Sequence, residues 1–549
     1  MKRNIRGSSS VVTLYVMMVV TFSVLSLAGL TITSLNRARG EVRAAEAFHA
    51  AQASAEYVYQ KQRELLEVTR GEFEQAEYDL HDVPLDVPDG MTGRIEVAPS
   101  GDGSSAWITA EVFYGNQSRS VRLLAKAKDV GVWNNAVFAG AGASGKAING
   151  NVDIRGSVHL LGDGEPYTDL NGNGKRDDAE LYTDLNFNGQ WDPGEPFIDA
   201  NGDGVWNPAE PYQDANNNGI YDPPLTVTEL NSSFSGNAFI GNNYVGISFE
   251  LESQIPQIPL IGGLKSLGAE VRVKHGRIKV QGSARIGEEF NNGINKGKVE
   301  GTFVNDGWTG SPGAGGVFSD NGTNNGYDLD DLVPFPYING LGAQPYYDPI
   351  TGTTYSTHEQ FLNDRSLTIN LPSFDTSMDS FQFGPDANGN MMRWDKPSGV
   401  LTVEGIVKVN GNVSFGKKNQ TIRFDGRGTI FATGSIDVHS NLLPRTGRTF
   451  PIDAALGFIA ARDINLATGP GDAQLKMMGA FYAQGIIRSA KQNQIAGTFV
   501  GSYYDMGTNV PNIYQVPELA GNLPPGMPGD KPIISLKRKT WRERIPTDG

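Results

Sequence analysis

"VVTLYVMMVVTFSVLSLAGLTIT" (residues 11–33) is 23 residues without a charge. A run of that length crosses the hydrocarbon core of a bilayer as a single helix. Lys2, Arg3 and Arg6 precede it, which places the short N-terminal flank on the cytoplasmic side, although Arg37, Arg39 and Arg43 beyond the run weaken the asymmetry. A cleavable secretory signal is the competing reading, and Ser26-Leu27-Ala28 offers a tolerable cleavage site for it. The residues that follow argue for a retained helix. Between residues 41 and 77 there is no proline and one glycine, Gly71. Ala44, Phe48, Ala51, Ala55, Val58, Leu65 and Phe73 recur at helical spacing. The apolar run is therefore expected to continue, with little interruption, into a long amphipathic helix that buries one stripe.

What that stripe packs on is read from the next residues. Runs at 94–98, 106–114 and 118–127 alternate as strands do, and the second and third flank Gly115-Asn116-Gln117 as a hairpin. Beyond residue 131 the texture changes. "INGNVDIRGSVHL" (148–160), "SGNAFIGNNY" (235–244), "GRIKVQGSARIG" (276–287), "VEGIVKVNGNVSFG" (403–416) and "GRGTIFATGSIDVHS" (426–440) are short alternating strands cornered by Gly and Asn. "LGFIAARDINL" (456–466) and "GAFYAQGIIRS" (479–489) continue the pattern. Such strands suit a β-solenoid, whose rungs cover each other's edges; a β-sandwich is the alternative. The fold class expected is α+β, mostly β: a long N-terminal helix, a small antiparallel sheet, and a large β-solenoid-like body carrying an insertion. The expected partition is leader 1–7, helix 8–80, sheet 81–130, solenoid 131–162 with 226–300, insertion 163–225, an irregular Gly/Asn/Tyr-rich region 301–395, solenoid 396–503 and an extended C-terminal tail 504–549. The tail holds a basic patch at residues 537–544, read as solvated surface.

The insertion carries most of the charge. The chain is at −15, and residues 163–224 hold 14 Asp and Glu against Lys175 and Arg176, which leaves the rest of the chain close to neutral. The acidity is thus a local cation site rather than a general surface property. Four 15-residue units start at Glu165, Glu180, Glu195 and Glu210. Aligned on their first Asp, they present Asp169, Asn171, Asn173, Asp177 and Glu180; Asp184, Asn186, Asn188, Asp192 and Glu195; Asp199, Asn201, Asp203, Asn207 and Glu210; and Asp214, Asn216, Asn218 and Asp222, with Leu225 where the last Glu should stand. These are positions 1, 3, 5, 9 and 12 of an EF-hand calcium loop, and Gly174, Gly189, Gly204 and Gly219 supply the sharp turn at position 6. The carbonyls of Lys175, Gln190, Val205 and Ile220 fall at position 7. An oxygen-only donor set of this size suits Ca²⁺ better than Mg²⁺. On this reading three sites are complete and the fourth is weak. Only three residues separate successive loops, and Pro166, Pro193, Pro196, Pro208 and Pro211 oppose flanking helices. The units resemble the tandem calcium repeats of dockerin and thrombospondin type-3 modules. Recurring Tyr167, Tyr182, Phe197 and Tyr212, with Trp191, Trp206 and Tyr221, are candidates for a small core.

The N-terminus resembles that of type IV pilin-like proteins, PilX-type minor pilins in particular. The residues carrying the resemblance are "RGSSSVVTLYVMMVV" (6–20), with its short basic leader, and "AAEAFHAAQASAEY" (44–57); the solenoid texture and "TWRE" (540–543) add to it less specifically. The resemblance covers about the first 80 residues. It implies cleavage by a prepilin peptidase between Gly7 and Ser8, single-pass residence in the inner membrane through an inner-membrane assembly platform, then packing with other pilins or pseudopilins in an extracytoplasmic filament. Most members carry a glutamate at the fifth mature position, where this chain has Val12. That carboxylate is thought to pair with the amine of an earlier-added subunit, so its loss implies a subunit at the tip or one that primes assembly.

Cysteine is absent, which excludes disulfides, thiol catalysis and zinc–thiolate sites. His49, His81, His159, His275, His358 and His439 are scattered, none at metal-ligand spacing from another. "GAGASGKA" (140–147) mimics a phosphate loop but ends on Ala147, without the hydroxyl that would hold Mg²⁺. No catalytic residue is assigned, and the chain is read as a binding and assembly protein, not an enzyme. The body's ligand is open among a surface polysaccharide, a protein and DNA. Two other functions compete: a DNA-capture tip pilin for transformation, which the net acidity opposes, and a membrane-anchored β-helix enzyme acting on polysaccharide.

Overall fold

A computed structural model describes residues 8–101, 103–143, 152–224, 236–309, 316–322, 325–329, 332–506 and 511–544. The chain divides into two compact units, residues 1–129 with 532–549, and residues 130–531.

The first unit begins with α1 (Ser8–Val68), one unbroken helix of 61 residues and about 90 Å at the usual rise. Its first half is apolar and exposed all round, with Leu14 and Leu30 each 70% accessible. By length and composition this part is able to cross a membrane. Thr21, Thr31 and Thr33 return their hydroxyls to carbonyls one turn back, so those three groups need no water. From Ala44 onward one face is buried: Ala47, Ala51, Ala55, Val58 and Leu66 are nearly inaccessible, at the three- and four-residue spacing of a helix stripe. Leu65, expected in that stripe, is exposed and Leu66 takes its place; Phe73 is buried from outside the helix. The helix stops earlier than the sequence suggests because Arg70 turns into the left-handed region at φ 52°. Gly71 N then donates to Leu66 O at 2.8 Å, closing a Schellman cap, and Arg70 is held there by Asp129 at 3.3 Å.

Five antiparallel strands receive the stripe. β1 (Ala76–Asp79), β2 (Met91–Pro99), β3 (Ser105–Tyr114) and β4 (Gln117–Asp129) follow in order. β3 and β4 close tightly through Gly115-Asn116, with Tyr114 opposite Gln117 and Gly115 at φ 63°, as a two-residue hairpin requires. Ile95, Val97, Ile108, Ala110, Val121 and Leu123 meet the helix alanines in one core. The fifth strand is the C-terminal segment Ile534–Arg544, which pairs with β4. This corrects the reading of a free tail, since the segment is a paired strand, while Arg538, Lys539 and Arg542 of its basic patch are exposed. Tyr59 Oη donates to Leu536 O at 3.1 Å, Arg538 pairs with Glu56, and Trp541 packs edge-on to Phe48. Ile533 N donates to Asp129 Oδ1 across a sequence separation of 404. The second unit is therefore an insertion in a β-hairpin.

That second unit is built of parallel ladders, which removes the sandwich alternative. One ladder runs through Leu367–Ile369, Val400–Val409, Arg427–Ala432, Ala455–Ala460, Lys476–Ser489, Gln494–Asp505, Val137–Ala143, Val158–Leu160, Glu270–Val273 and Gly301–Val304. A second joins Ser373–Phe374, Val413–Phe415, Ile436–Val438 and Ile464–Leu466 to the ends of the long strands. A third joins Thr421–Asp425, Asn441–Pro444, Asn512–Tyr514, Asp153–Arg155, Phe239–Gly241 and Arg285–Ile286. The solenoid thus extends to Val304 and resumes at Leu367, inside the stretch expected to be irregular. Its rungs are not in chain order. The run from residue 367 stacks toward the run from residue 137, and the two meet where Gln494–Asp505 pairs with Val137–Ala143. Both chain ends of the body consequently leave from its middle, where Trp133 Nε1 donates to Pro528 O at 2.8 Å. The core is aromatic: Phe374, Phe415, Phe458, Phe481 and Phe499 form a continuous series with centroids 5.3–6.1 Å apart.

Gly7 and Leu225 lie outside the described residues, as do residues 144–147 of the phosphate-loop mimic. Ser8 is the first residue of α1, and Gly140 lies within the strand Val137–Ala143 rather than in a loop.

Candidate metal centre

The acidic segment leaves the solenoid after Val158–Leu160, and the chain rejoins it at Phe239–Gly241. Within residues 163–224 no helix forms among the described residues. Each 12-residue loop folds on its own side chains. The first Asp of each loop accepts the position-6 N–H through Oδ2: Gly174 to Asp169, Gly189 to Asp184, Gly204 to Asp199 and Gly219 to Asp214, at 2.8–2.9 Å. Those four glycines share φ 76–77°, a conformation that favours glycine over residues with a Cβ. The position-3 side chain accepts the N–H of position 5 in every loop, at 3.0 Å. The position-5 side chain accepts the N–H of position 7, so Lys175, Gln190, Val205 and Ile220 are fixed in place at 2.7–2.8 Å.

Positions 3, 5 and 9 then meet. The amides of Asn171 and Asn173 both donate to Asp177; those of Asn186 and Asn188 to Asp192; those of Asn216 and Asn218 to Asp222. In the third loop acid and amide change places, and Asp203 accepts from Asn201 and Asn207. Backbone N–H donors, Gly174 first, hold Asp169 below the usual carboxylate range, and the Asn207 amide does the same for Asp203. Both groups are thereby kept ionised.

Two of the three expected glutamates are not where the linear spacing puts them. Glu195 sits on the loop it ends, accepting Leu185 N at 2.7 Å and Asp192 N at 3.0 Å. Glu180 instead accepts Ala200 N and Asn207 N of the third loop, at 2.8 and 3.1 Å. Glu210 accepts Leu170 N and Asp177 N of the first loop, at 2.6 and 3.1 Å. Glu165, absent from the sequence-based ligand set, accepts Ala215 N at 2.7 Å and Asp222 N at 3.2 Å. Each carboxylate therefore binds the N–H groups of positions 2 and 9 of one loop.

The cause is a pairwise fold. Tyr167 bridges Tyr212 and Tyr182 bridges Phe197, both antiparallel, so unit one lies against unit four and unit two against unit three. Trp191 and Trp206 stack at 5.2 Å, with Phe197 and Tyr182 edge-on to them; Tyr221 lies between Tyr167 and Tyr212. In unit one the recurring aromatic is replaced by Arg176, whose guanidinium covers Tyr212 and Tyr221 at 5.0 and 5.3 Å.

The donor set fits a hard divalent cation. All four glutamates are at least nine-tenths buried. Among the described residues no Lys or Arg side chain forms an ion pair with any of them. Buried carboxylates without a basic partner are stabilised where a cation neutralises them. Among the described residues no three His, Cys, Asp or Glu meet as a preformed cluster, although each loop with its glutamate offers three carboxylates. An amide or carboxylate oxygen has more than one lone pair, so the position-3 and position-5 oxygens that accept a backbone N–H keep one for a cation.

No protein-family model matches the chain, and no curated protein does. Among solved structures the chain is similar to the crystal structure of the competence-associated pilin ComZ from Thermus thermophilus, at 19% identity and a TM-score of 0.49, over 92% of this chain and 98% of that one.

Proposed function

We infer that the chain is a minor pilin or pseudopilin of a type IV pilus-like filament, held in the inner membrane until assembly extracts it. The observation that supports this is α1. Its apolar half is exposed within its own unit, whereas its second half is buried against a five-stranded sheet closed by the C-terminus. Such a helix serves first a bilayer and then a bundle of like helices. Val12 at the fifth mature position leaves no acid to pair with an earlier subunit's amine, so the chain belongs at the tip or at the start of assembly. Its work is binding and assembly, and the solenoid is what it displays to a surface, a polysaccharide or a partner. Calcium in the four loops sets the insertion, with Asp169, Asn171, Asn173, Asp177 and their counterparts as ligands; the ion supplies charge neutralisation and cross-linking when bound.

Mass spectrometry of the mature protein tests the class. The expected N-terminus is Ser8, and the chain is expected in sheared filaments, labelled at one end. A chain cleaved after Ala28, or label along the whole shaft, would overturn the respective part. Retardation of DNA by the purified chain at moderate salt would reassign the body to DNA capture.

A further inference from the structure

The geometry points to Glu165 as the missing twelfth ligand of the fourth loop, so that all four calcium sites are complete and the fourth one locks the root of the insertion to the solenoid. This rests on the calcium reading above. The Glu at each unit start lies four residues ahead of a loop's first Asp and eleven behind the preceding one, so spacing alone permits it to serve either. The fold uses a different rule. Units pair one with four and two with three, and within each pair the glutamates are exchanged or kept so that every loop receives one: Glu210 on the first, Glu195 on the second, Glu180 on the third and Glu165 on the fourth. Leu225 is then no defect. The unit series needs no Glu after the fourth loop because the Glu before the first loop fills its place.

Independent features fix Glu165 there. It is 2% exposed and has no basic partner among the described residues, while Asp214 and Asp222 stand beside it. Gly164, at φ 72°, brings the chain against the far end of the insertion so closely that a Cβ would lie 2.5 Å from Pro223 C. Glu165 N donates to Asp222 O at 2.9 Å. The fourth loop is also the one seated on the body: Ala215 is buried with Ala141, Ile486 and Tyr503, and Tyr503 Oη donates to Asp222. An ion held by Glu165 from the first end and Asp214, Asn216, Asn218 and Asp222 from the last would close the insertion at its base.

The test uses the full chain in detergent, stripped with chelator and titrated with Ca²⁺, reading ion stoichiometry by calorimetry and local order by hydrogen exchange with mass spectrometry. The expected wild-type result is four ions, with protection gained in all four loops. E165Q is expected to bind three and to lose protection at residues 214–222 alone. E210Q is expected to lose protection at residues 169–177, not 199–207, and it keeps the glutamate exchange testable if E165Q does not fold. Four ions in E165Q, or three in the wild type with the fourth loop unprotected, would overturn the assignment while leaving calcium binding intact. No ion in the wild type would overturn the calcium reading itself.

Discussion

The acidic insertion and the solenoid rungs around it distribute their residues in opposite ways. In the rungs the large side chains are inside: Phe431, Phe458, Phe481 and Tyr482 are wholly inaccessible. In the insertion they are largely outside. Leu170, Leu181, Leu185, Ile198, Val205 and Ile220 are each more than 60% exposed, and Phe187 is 91% exposed, while the glutamates are buried. One region excludes water from hydrocarbon; the other gathers oxygen around positions where charge must be neutralised. Stability in the first comes from apolar burial. On the proposed calcium reading, folding and ion binding are one equilibrium in the second. The sharpest way to break this contrast is to remove calcium. Chelation is expected to abolish hydrogen-exchange protection throughout residues 166–222 while leaving residues 427–505 unchanged. Equal protection of the insertion with and without the ion would mean its aromatic pairs suffice to hold it.

The converse perturbation acts on the core. Phe458 stacks on Phe481 at 5.5 Å in the middle of the aromatic series. Phe458→Ala removes that ring from a packed ladder and is expected to cost about 4 kcal/mol, seen as a lower urea midpoint for the body. Added calcium should not restore it. If it does, the two regions share one cooperative unit and the contrast fails.

These two regions also differ in what the sequence discloses. The loops are local: Asp169, Asn171, Asn173 and Gly174 bond to one another, so a 12-residue pattern predicts them. The helix start and the alternation of the rungs are local too. The glutamate assignments were hidden because they depend on which unit lies against which. The strand Ile534–Arg544 was hidden for the same reason, its partner β4 being some 400 residues away. A parallel ladder needs non-local neighbours, and alternation tells which residues face inward without telling which rung is adjacent. That is why the meeting of Gln494–Asp505 with Val137–Ala143, which sets the order of the whole body, has no signature in either stretch.

Acid separates the regions at a smaller scale. His358 is buried against Tyr346 and Phe361, its Nε2 2.8 Å from Gly526 O, and burial lowers its pKa from 6.5 to about 4. Burial likewise lowers that of His159 to about 3. Protons then bind the unfolded chain more readily, so the stability contributed by neutral imidazole is complete above pH 6.5 and is lost as pH falls through the window between the two values. Urea titration of the body at pH 5 is expected to show about 2 kcal/mol less stability per histidine than at pH 7.5. H358Q should remove that histidine's share; an unchanged pH slope in the variant would exclude His358 as its source.

The smallest effect expected lies where the two regions touch. Tyr503 belongs to a solenoid strand, yet its hydroxyl donates to Asp222 Oδ2 at 3.1 Å. Burial, with Glu165 and Asp222 nearby, raises its pKa, so it remains a neutral donor. Tyr503→Phe keeps the ring against Ala215 and Ile486 and deletes one bond to a carboxylate. The loss is about 1.5 kcal/mol, or roughly tenfold in affinity for one ion, and it should fall on the fourth loop alone. A calorimetric titration resolves it as one weakened site among four. An equal weakening at every loop would mean that the insertion binds its ions as a single cooperative block, with the solenoid setting the affinity of all four through one hydroxyl; no change at all would mean that the fourth loop takes its geometry from Glu165 and Gly164 without help from the body.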